Sequence, residues 1–205
     1  MPTNLTFDEA AALPMAAVTA LQGLQEKGQL QKGQKVLING ASGGVGTFAV
    51  QIAKALGAEV TGVCNSDCVE MTLSLGADHV IDYSKEDYRK SKERYDLIFD
   101  IAANCSVTDC RTLLNSNGIY IMVGFSSMGN MMRVIFSGKK DGKRITTFVA
   151  DNSRYSSGLD YINTLIEAGA LKSVIDRRYS LDETAKAFHH AETGHPRGKV
   201  IIAIV

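Results

Sequence analysis

The stretch Val36-Leu-Ile-Asn-Gly-Ala-Ser-Gly-Gly-Val-Gly46 decides the fold of this 205-residue chain. Its apolar start is typical of a buried β-strand, its second half is a turn rich in glycine, and the next residues, Thr47–Leu56, have helical periodicity. Glycines let a backbone turn sharply and approach a ligand closely, while a helix N-terminus offers free N–H groups and the positive end of a dipole. The order of strand, glycine turn and helix therefore predicts a phosphate-binding site.

The spacing of the small residues makes this prediction more specific. Ala41, Gly43 and Gly46 follow the dinucleotide-binding pattern with its first glycine replaced by alanine. The preceding strand, the following helix and a second predicted strand all fit that pattern, which a tight structural turn would not require. We therefore predict that Gly43, Gly44, Val45 and Gly46 hold the pyrophosphate of a nucleotide through backbone N–H groups.

Composition excludes several other classes of function. The chain is 45% hydrophobic and 21% charged with no net charge, so it offers no basic surface for nucleic acid or acidic membranes. It has no apolar run of the ~20 residues that span a bilayer, and Met1–Glu9 does not read as a secretory signal. The spacing of its cysteines is not that of a zinc site, so we expect reduced thiols, no metal and a cytoplasmic location; they are Cys64, Cys68, Cys105 and Cys110.

Strands and helices alternate through most of the chain. Their near-continuous apolar strands predict an α/β Rossmann domain, a doubly wound parallel sheet of six strands with helices on both faces. The predicted strands are Lys35–Asn39, Glu59–Cys64, His79–Asp82, Asp96–Ile101, Gly118–Val123 and Arg144–Ala150. We interpret the glycine-, serine- and methionine-containing stretch Gly124–Lys143 as a connection between two strands.

Two further segments flank this sheet. A leading alanine-rich helical stretch covers residues 7–24 and is interrupted at Pro14, and it belongs with the dinucleotide-binding domain, predicted for residues 1–170. The sequence predicts a β-α-β tail over residues 171–205, made of Val174–Tyr179, Leu181–Ala191 and Gly198–Val205. Because the last strand is strongly apolar and the six-stranded domain is already complete, we assign the tail to an incomplete second domain.

Four stretches, in order along the chain, resemble the zinc-independent quinone oxidoreductases of the medium-chain dehydrogenase/reductase superfamily, the zeta-crystallin branch, which is alcohol dehydrogenase-like. They are Ala10–Leu24, Asn39–Ala58, Leu75–Tyr88 and Gly194–Ile202. The resemblance implies NAD(P)H-dependent reduction of quinones, enones or related carbonyl compounds. It also implies that a GroES-like substrate domain precedes the segment matching Ala10, so that the tail is a remnant of that domain. Catalytic residues are not identified.

The choice of cofactor depends on the end of the second strand, about 20 residues beyond the glycines. Asn65 and Ser66 stand there and neither is acidic, which favours NADP(H) over NAD(H). Where relatives place a basic residue for the 2′-phosphate, this chain has Asp67 and Cys68. Asp67 either repels that phosphate or caps the next helix. Tyr83, in the family's Ile-Asp-Tyr motif, lies beside the adenosine phosphate or packs as a strand-end aromatic.

Further cofactor-binding candidates come from the resemblance and from positions at the carboxyl ends of strands, where ligands bind in open α/β sheets. They are Thr19, Asn104, Gly124, Phe148 and Val149, with Phe125 as a candidate to stack on the cofactor and Arg197 and Lys199 as candidates to reach a phosphate.

Two functions of different class remain open. The first is hydride transfer from NAD(P)H to a small carbonyl or quinone, with a substrate domain supplied. The second is a non-catalytic NAD(P)-binding module, a sensor or a subunit that needs a partner for activity. For these residues alone we predict cofactor binding with little or no turnover. Because Arg144–Ala150 is β-prone and largely uncharged, we also predict a homodimer formed through that strand.

Overall fold

The computed structural model describes residues 4–124, 128–151, 153, 155–192 and 196–204. Its strands are β1 (Lys35–Asn39), β2 (Glu59–Cys64), β3 (His79–Asp82), β4 (Tyr95–Asp100), β5 (Leu114–Val123), β6 (Lys139–Lys140), β7 (Lys143–Phe148), β8 (Ile175–Ser180) and β9 (Lys199–Ala203). Its α-helices are α1 (Phe7–Ala12), α2 (Pro14–Leu21), α3 (Gly46–Ala55), α4 (Val69–Ser74), α5 (Val107–Leu113), α6 (Met128–Ser137), α7 (Tyr155–Glu167) and α8 (Thr184–Glu192).

The main sheet has the order β3-β2-β1-β4-β5-β7-β6. Its first six strands are parallel, and the order of strands reverses between β1 and β4, as in Rossmann folds. The predicted fold class is therefore confirmed. The reversal leaves a crevice above the carboxyl ends of β1 and β4, and the last residues of these strands, Asn39 and Asp100, pair with each other in register.

The two faces of the sheet alternate along each buried strand. In β4, Leu97 and Phe99 enter the core that contains α3 and the leading helices, whereas Ile98 enters the core with Tyr120 of β5. All four side chains are almost wholly buried. Burial of such a side chain contributes about 1.5–3 kcal/mol, so the strands are held from both faces.

The leading segment forms two helices divided at the predicted place. Thr6 and Glu9 form a capping box at the start of α1, and Pro14 occupies the first turn of α2, where its missing N–H costs nothing. A π-helical turn follows over Gln22–Lys27. Gly23 in this turn packs against the Phe99 ring, since a Cβ there would lie 2.4 Å from Phe99 Cε2.

The connection between β5 and β7 contains regular structure that the sequence analysis did not predict. Helix α6 occupies its centre, and β6 pairs antiparallel with the first residues of β7. Only Val134 of its fully described side chains is buried, while Met132, Ile135 and Phe136 are exposed, so the helix lacks a broad buried apolar stripe. Gly138, at a φ of +43°, then separates the helix from β6.

The tail forms the predicted β-α-β unit, with β8 and β9 parallel in a separate two-stranded sheet. It is attached to the rest of the chain by hydrogen bonds, among them one from Ser173 Oγ to the Glu9 carbonyl at 2.8 Å. The division into domains at residue 170 stays a prediction. Phe125 lies outside the described residues. Within the described ranges, no helix has the length and apolar character to cross a membrane.

The sulfur atoms of Cys105 and Cys110 lie against each other, and both residues are buried. That the thiols are reduced stays a prediction. Cys64 and Cys68 are free and buried. The pair lies on either side of the start of α5, where Ser106 caps the helix and brings position 110 back toward position 105. The spacing of Cys105 and Cys110 in the sequence does not by itself indicate that α5 brings them together.

Candidate functional site

A cavity of about 910 Å³ lies above the carboxyl ends of β1, β2, β3 and β4. It occupies the crevice at which the strand order reverses, the usual ligand position in this architecture. Its walls come from the glycine turn, from the ends of β2, β3 and β4 and from the tail. The lining residues include the predicted Gly43, Asn65, Tyr83 and Asn104.

The glycine turn has the shape that close approach to a phosphate requires. Gly40 adopts a φ of +88°, and α3 begins at Gly46. A Cβ on Gly46 would lie 2.0 Å from the Gly40 carbonyl oxygen and 2.7 Å from the Ala41 carbonyl carbon. Real Cβ atoms do not approach backbone so closely, so only glycine permits this packing of α3 on β1. The N-terminus of this ten-residue helix thus points at the cavity edge with its dipole.

The tail places a cation against the same turn. A Cβ on Gly44 would lie 2.8 Å from Lys199 Cδ and 3.6 Å from Lys199 Nζ. Gly44 therefore leaves room for the lysine side chain, and the ammonium group stands beside the helix N-terminus. Backbone N–H groups and an ammonium group together form a site for a phosphate group.

Asn65 and Ser66, at the end of β2, behave differently from each other. The Asn65 amide oxygen is buried at the cavity and has no hydrogen-bond partner among the described residues. Ser66 is already engaged, since its hydroxyl donates to Asp82 Oδ2 at 2.6 Å. That bond is the largest of the effects that lower the pKa of Asp82 to about 2. Of the two residues, Asn65 is therefore the one whose side-chain oxygen is available to a ligand.

Asp67 does not cap a helix, and its carboxylate is paired with an arginine. The Asn65 side chain makes no cap, and Cys68 is the residue before α4, so the capping interpretation of Asp67 was wrong. Instead, Arg197 Nη2 donates to Asp67 Oδ2 at 2.6 Å. This pair joins the tail to the end of β2, 130 residues away. Arg197 thus brings a guanidinium group to the end of β2, where the chain itself has Asp67 and Cys68 in place of the basic residue that the family resemblance implies.

A buried polar cluster forms the floor of the cavity. Asn39 Nδ2 donates to Asp100 Oδ1 at 2.7 Å and to Asn104 Oδ1 at 2.8 Å. Tyr88 Oη donates to Asn104 Oδ1 at 3.2 Å, and Tyr120 Oη donates to Asp100 Oδ2 at 2.8 Å. Burial raises the pKa of both tyrosines, so their phenol groups stay neutral donors. Burial also raises the pKa of Asp100, an effect that the donors around it oppose.

The candidates for the nicotinamide end are not brought into this cavity. The Thr19 hydroxyl donates within α2 to the Met15 carbonyl at 2.6 Å. Gly124, at a φ of +77°, and Phe148 end β5 and β7, and Val149 is 81% exposed. None of them lines the cavity. Their positions at strand ends agree with the sequence, but their roles in binding stay predictions.

Sequence reasoning missed several lining residues. Asn39 is the last residue of a predicted strand, and a polar side chain at that point was a usable signal. The segment Ser84–Arg89 follows β3 and crosses toward β4, which its charged composition did not indicate. Ala191 and Pro196 reach the cavity from the tail. Among the described side chains, no three of His, Cys, Asp or Glu converge as a metal site.

These features fit a dinucleotide. The glycine turn, with Gly43 on the cavity and Lys199 beside Gly44, fits a pyrophosphate, and the unpartnered Asn65 oxygen fits a ligand hydroxyl or amine. Gly43, Gly44, Val45 and Gly46 would hold the phosphates together with Lys199. Asn65, Tyr83 and Asn104 would face the remainder of the ligand.

Comparisons with known proteins agree with this geometry. The chain is 37% identical to the NAD(P)H oxidoreductase RTN4IP1, mitochondrial, of Mus musculus over all of its own length and 57% of that protein. It is 32% identical to the chloroplast envelope quinone oxidoreductase homolog of Arabidopsis thaliana, covering 98% of the chain and 63% of that relative. The chain thus spans about three fifths of the length of these relatives.

One sequence-based expectation is overturned by these names. The RTN4IP1 proteins of Mus musculus, Bos taurus, Homo sapiens and Danio rerio are all named mitochondrial. The expected cytoplasmic location is therefore wrong. The expectation depended on cysteine usage and the lack of a secretory signal, and neither distinguishes the cytoplasm from a mitochondrion.

The fold leads to the same family. The quinone oxidoreductase of Coxiella burnetii superposes with a TM-score of 0.87 at 29% identity, covering 99% of this chain and 62% of that structure. The profile of the family described as "Zinc-binding dehydrogenase" matches residues 75–202, more than half of the chain. From the Rossmann sheet, the glycine cradle and these likenesses, the chain belongs to this family within the medium-chain dehydrogenase/reductase superfamily, in the zinc-independent quinone oxidoreductase-like branch.

Proposed function

We propose that this chain binds NADP(H) as the cofactor-binding part of an oxidoreductase that transfers hydride to a quinone, an enone or a related carbonyl compound. The observation that carries the proposal is the glycine turn, in which Gly43 lines a cavity above four strand ends and Gly46 admits no side chain where α3 begins. The names of the relatives, among them an NAD(P)H oxidoreductase and a quinone oxidoreductase homolog, support this class of reaction.

The chain's own residues bind and orient the cofactor. The reduced nicotinamide supplies a hydride when bound. The glycine turn and the α3 N-terminus neutralise the phosphates, and Lys199 adds a point charge beside them. Asn65 and the Asn39–Asp100–Asn104 cluster fix the adenosine side. Gly124 and the backbone of Phe148 and Val149 stand at the edge where the nicotinamide would extend.

A titration tests the proposal. Because the chain contains no tryptophan, NADPH fluorescence can be followed without an overlapping protein signal. We expect saturable NADPH binding with enhanced nicotinamide emission, followed by quinone reduction when a substrate domain is supplied. Absence of binding by NADPH and by NADH would reject the proposal. Turnover by the chain alone would show instead that the substrate wall is complete within these residues.

A specific observation favours a second candidate, a binding module that needs a partner. The described cavity covers the ends of β1 to β4, while Val149, after β7, is exposed and, among the described residues, nothing lies within 4 Å of a Cβ placed on Gly124, after β5. The substrate wall is thus unformed at the nicotinamide end. This candidate predicts that adding a partner chain restores turnover and leaves the affinity for NADPH unchanged.

We also propose the preference for NADPH over NADH. A 2′-phosphate carries about two negative charges and competes with Asp67 for the Arg197 guanidinium. We expect Arg197→Gln to lower NADPH affinity by about tenfold at low salt, the equivalent of ~1.4 kcal/mol. NADH affinity should be unchanged or higher, because Asp67 is then free to accept from the ribose hydroxyl. Fluorescence titration with both nucleotides measures the change.

Arg178→Gln is the matched control for that substitution. Arg178 also lies in the tail and also pairs with an aspartate, but its partner is Asp8 in α1 and not a residue that follows β2. It should leave both affinities unchanged. Equal losses for NADPH and NADH in Arg197→Gln would contradict a role in recognising the 2′-phosphate.

Self-association through β7 is a further part of the proposal. β6 covers the first residues of β7 and the Ile145 amide donates to the Gly138 carbonyl, so Thr146–Phe148 is the part of this edge that has no strand partner among the described residues. The exposed Ile135 and Phe136 of α6, the helix that precedes this edge, offer apolar surface for a second copy. Light scattering at micromolar concentration should give a dimer mass, and a monomer would reject this pairing.

A further inference from the structure

Asp100 is a buried carboxylate surrounded by donors. Its side chain has no exposed surface and lies at the carboxyl end of β4. It accepts hydrogen bonds from Asn39 Nδ2 at 2.7 Å, Tyr120 Oη at 2.8 Å, the Ala103 amide at 2.9 Å and the Cys105 amide at 3.3 Å. Burying a carboxylate is unfavourable unless its oxygens are hydrogen-bonded, and these four donors meet that requirement.

The carboxylate determines how two carboxamides are oriented. Because a carboxylate only accepts, the Asn39 side chain must turn its amide nitrogen toward Asp100. The same nitrogen donates to Asn104 Oδ1, and Tyr88 Oη donates to that oxygen as well. The oxygen of Asn104 is thus held by the cluster, which leaves the amide nitrogen as the remaining donor of a side chain that is exposed and lines the cavity.

Asp100 also shapes the loop that carries Asn104. Ala103 adopts a φ of +52°, a left-handed conformation that costs an L-residue about 1 kcal/mol or more. The bonds from the Ala103 and Cys105 amides to Asp100 hold the backbone on both sides of Asn104. The loop conformation and the side-chain orientation therefore depend on one buried group.

The position of Asn104 indicates which part of a dinucleotide it would meet. The glycine turn after β1 takes the pyrophosphate, and the other described lining residues follow β2, β3 and β4 or belong to the tail. None follows β5 or β7, the strands at the nicotinamide end. The cavity thus accommodates the adenosine half.

We infer that Asp100 is a positioning residue that fixes the Asn104 carboxamide as a hydrogen-bond donor to the adenosine half of the bound dinucleotide. The inference rests on the proposed function. It assigns Asp100 an effect on ligand affinity that passes through Asn104, in addition to its contribution to stability.

A double-mutant cycle tests this assignment. Binding of adenosine 2′,5′-bisphosphate and of NADPH is titrated by calorimetry for the unaltered chain, Asn104→Ala, Asp100→Asn and the double variant. Each single substitution should weaken both ligands by about tenfold, the value of one well-placed hydrogen bond to a ligand. The double variant should lose about tenfold as well, because Asp100 acts through Asn104. Asn163→Ala, on α7 and outside the cavity, is the matched control and should change neither affinity.

The outcomes separate the inference from the proposed function. Additive losses of about a hundredfold in the double variant would overturn the positioning role, as would unchanged affinity in Asn104→Ala. A loss for NADPH without a loss for the bisphosphate would also overturn it. If the unaltered chain bound neither ligand, the proposed function would fail and the inference with it. Should Asp100→Asn not fold, Tyr88→Phe removes the second donor to Asn104 Oδ1 and enters the same cycle.

Discussion

Gly46→Val is expected to abolish NADPH binding. A Cβ at this position would lie 2.0 Å from the Gly40 carbonyl oxygen, and the two branches of valine would extend further into the turn. The chain can accommodate them only by moving the turn away from α3, which separates the backbone N–H groups from the phosphates. We expect a loss of at least a hundredfold, about 2.7 kcal/mol, in a fluorescence titration.

A control substitution shows whether the loss is specific to the turn. Gly158 lies in α7, and a Cβ there would be 3.5 Å from its nearest neighbour, an ordinary contact. Gly158→Ala should therefore bind NADPH normally. Thermal melting of both variants separates loss of the site from loss of the fold. NADPH affinity in Gly46→Val equal to that of the unaltered chain would exclude the glycine turn as the phosphate site.

Asp100→Ala is expected to destabilise the fold by about 3 kcal/mol or more. Removal of the carboxylate leaves four donors without their acceptor, and two of them are backbone amides of one loop. Asn39 and Tyr120 are buried, so their donors cannot turn to bulk water. Chemical denaturation followed by circular dichroism measures the change in the free energy of unfolding.

Tyr120→Phe provides the comparison for that loss. It removes one donor to Asp100 and leaves the other three in place, so a cost of about 1 kcal/mol is expected. A cost for Asp100→Ala no greater than that for Tyr120→Phe would show that the cluster contributes little to stability. In that case the free-energy cost of burying Asp100, which also raises its pKa, would offset the stabilisation from its hydrogen bonds.

The sheet was predictable because its signals are local. The first three strands have the bounds that the sequence predicted, since each is a short apolar run ended by a turn residue. The glycine turn was equally readable, because its function requires glycines at fixed spacing. Helix α6 was missed because its glycine-, serine- and methionine-containing stretch was interpreted as a connection. Of its fully described apolar side chains, Met132, Ile135 and Phe136 are exposed and Val134 is buried.

The candidate site was only partly predictable, because half of it depends on distant contacts. Arg197 meets Asp67 across 130 positions of sequence, and no local pattern pairs them. Asn39 was predicted as the end of one strand and Asp100 as part of the strand Asp96–Ile101, and the parallel register places them side by side. Burial and hydrogen-bond partners, which decide the role of a polar residue, appear only when the strands are assembled.

The contact of Lys199 with the glycine turn has a consequence for the timing of biosynthesis. The strand and helix around Gly44 leave the ribosome early, but the ammonium group that completes their phosphate site is translated more than 150 residues later. A nascent chain can therefore form its Rossmann sheet long before its nucleotide site is complete. Messages cut short by a few codons before Lys199 would yield a folded sheet with a weakened site, and such products would compete poorly for the cofactor.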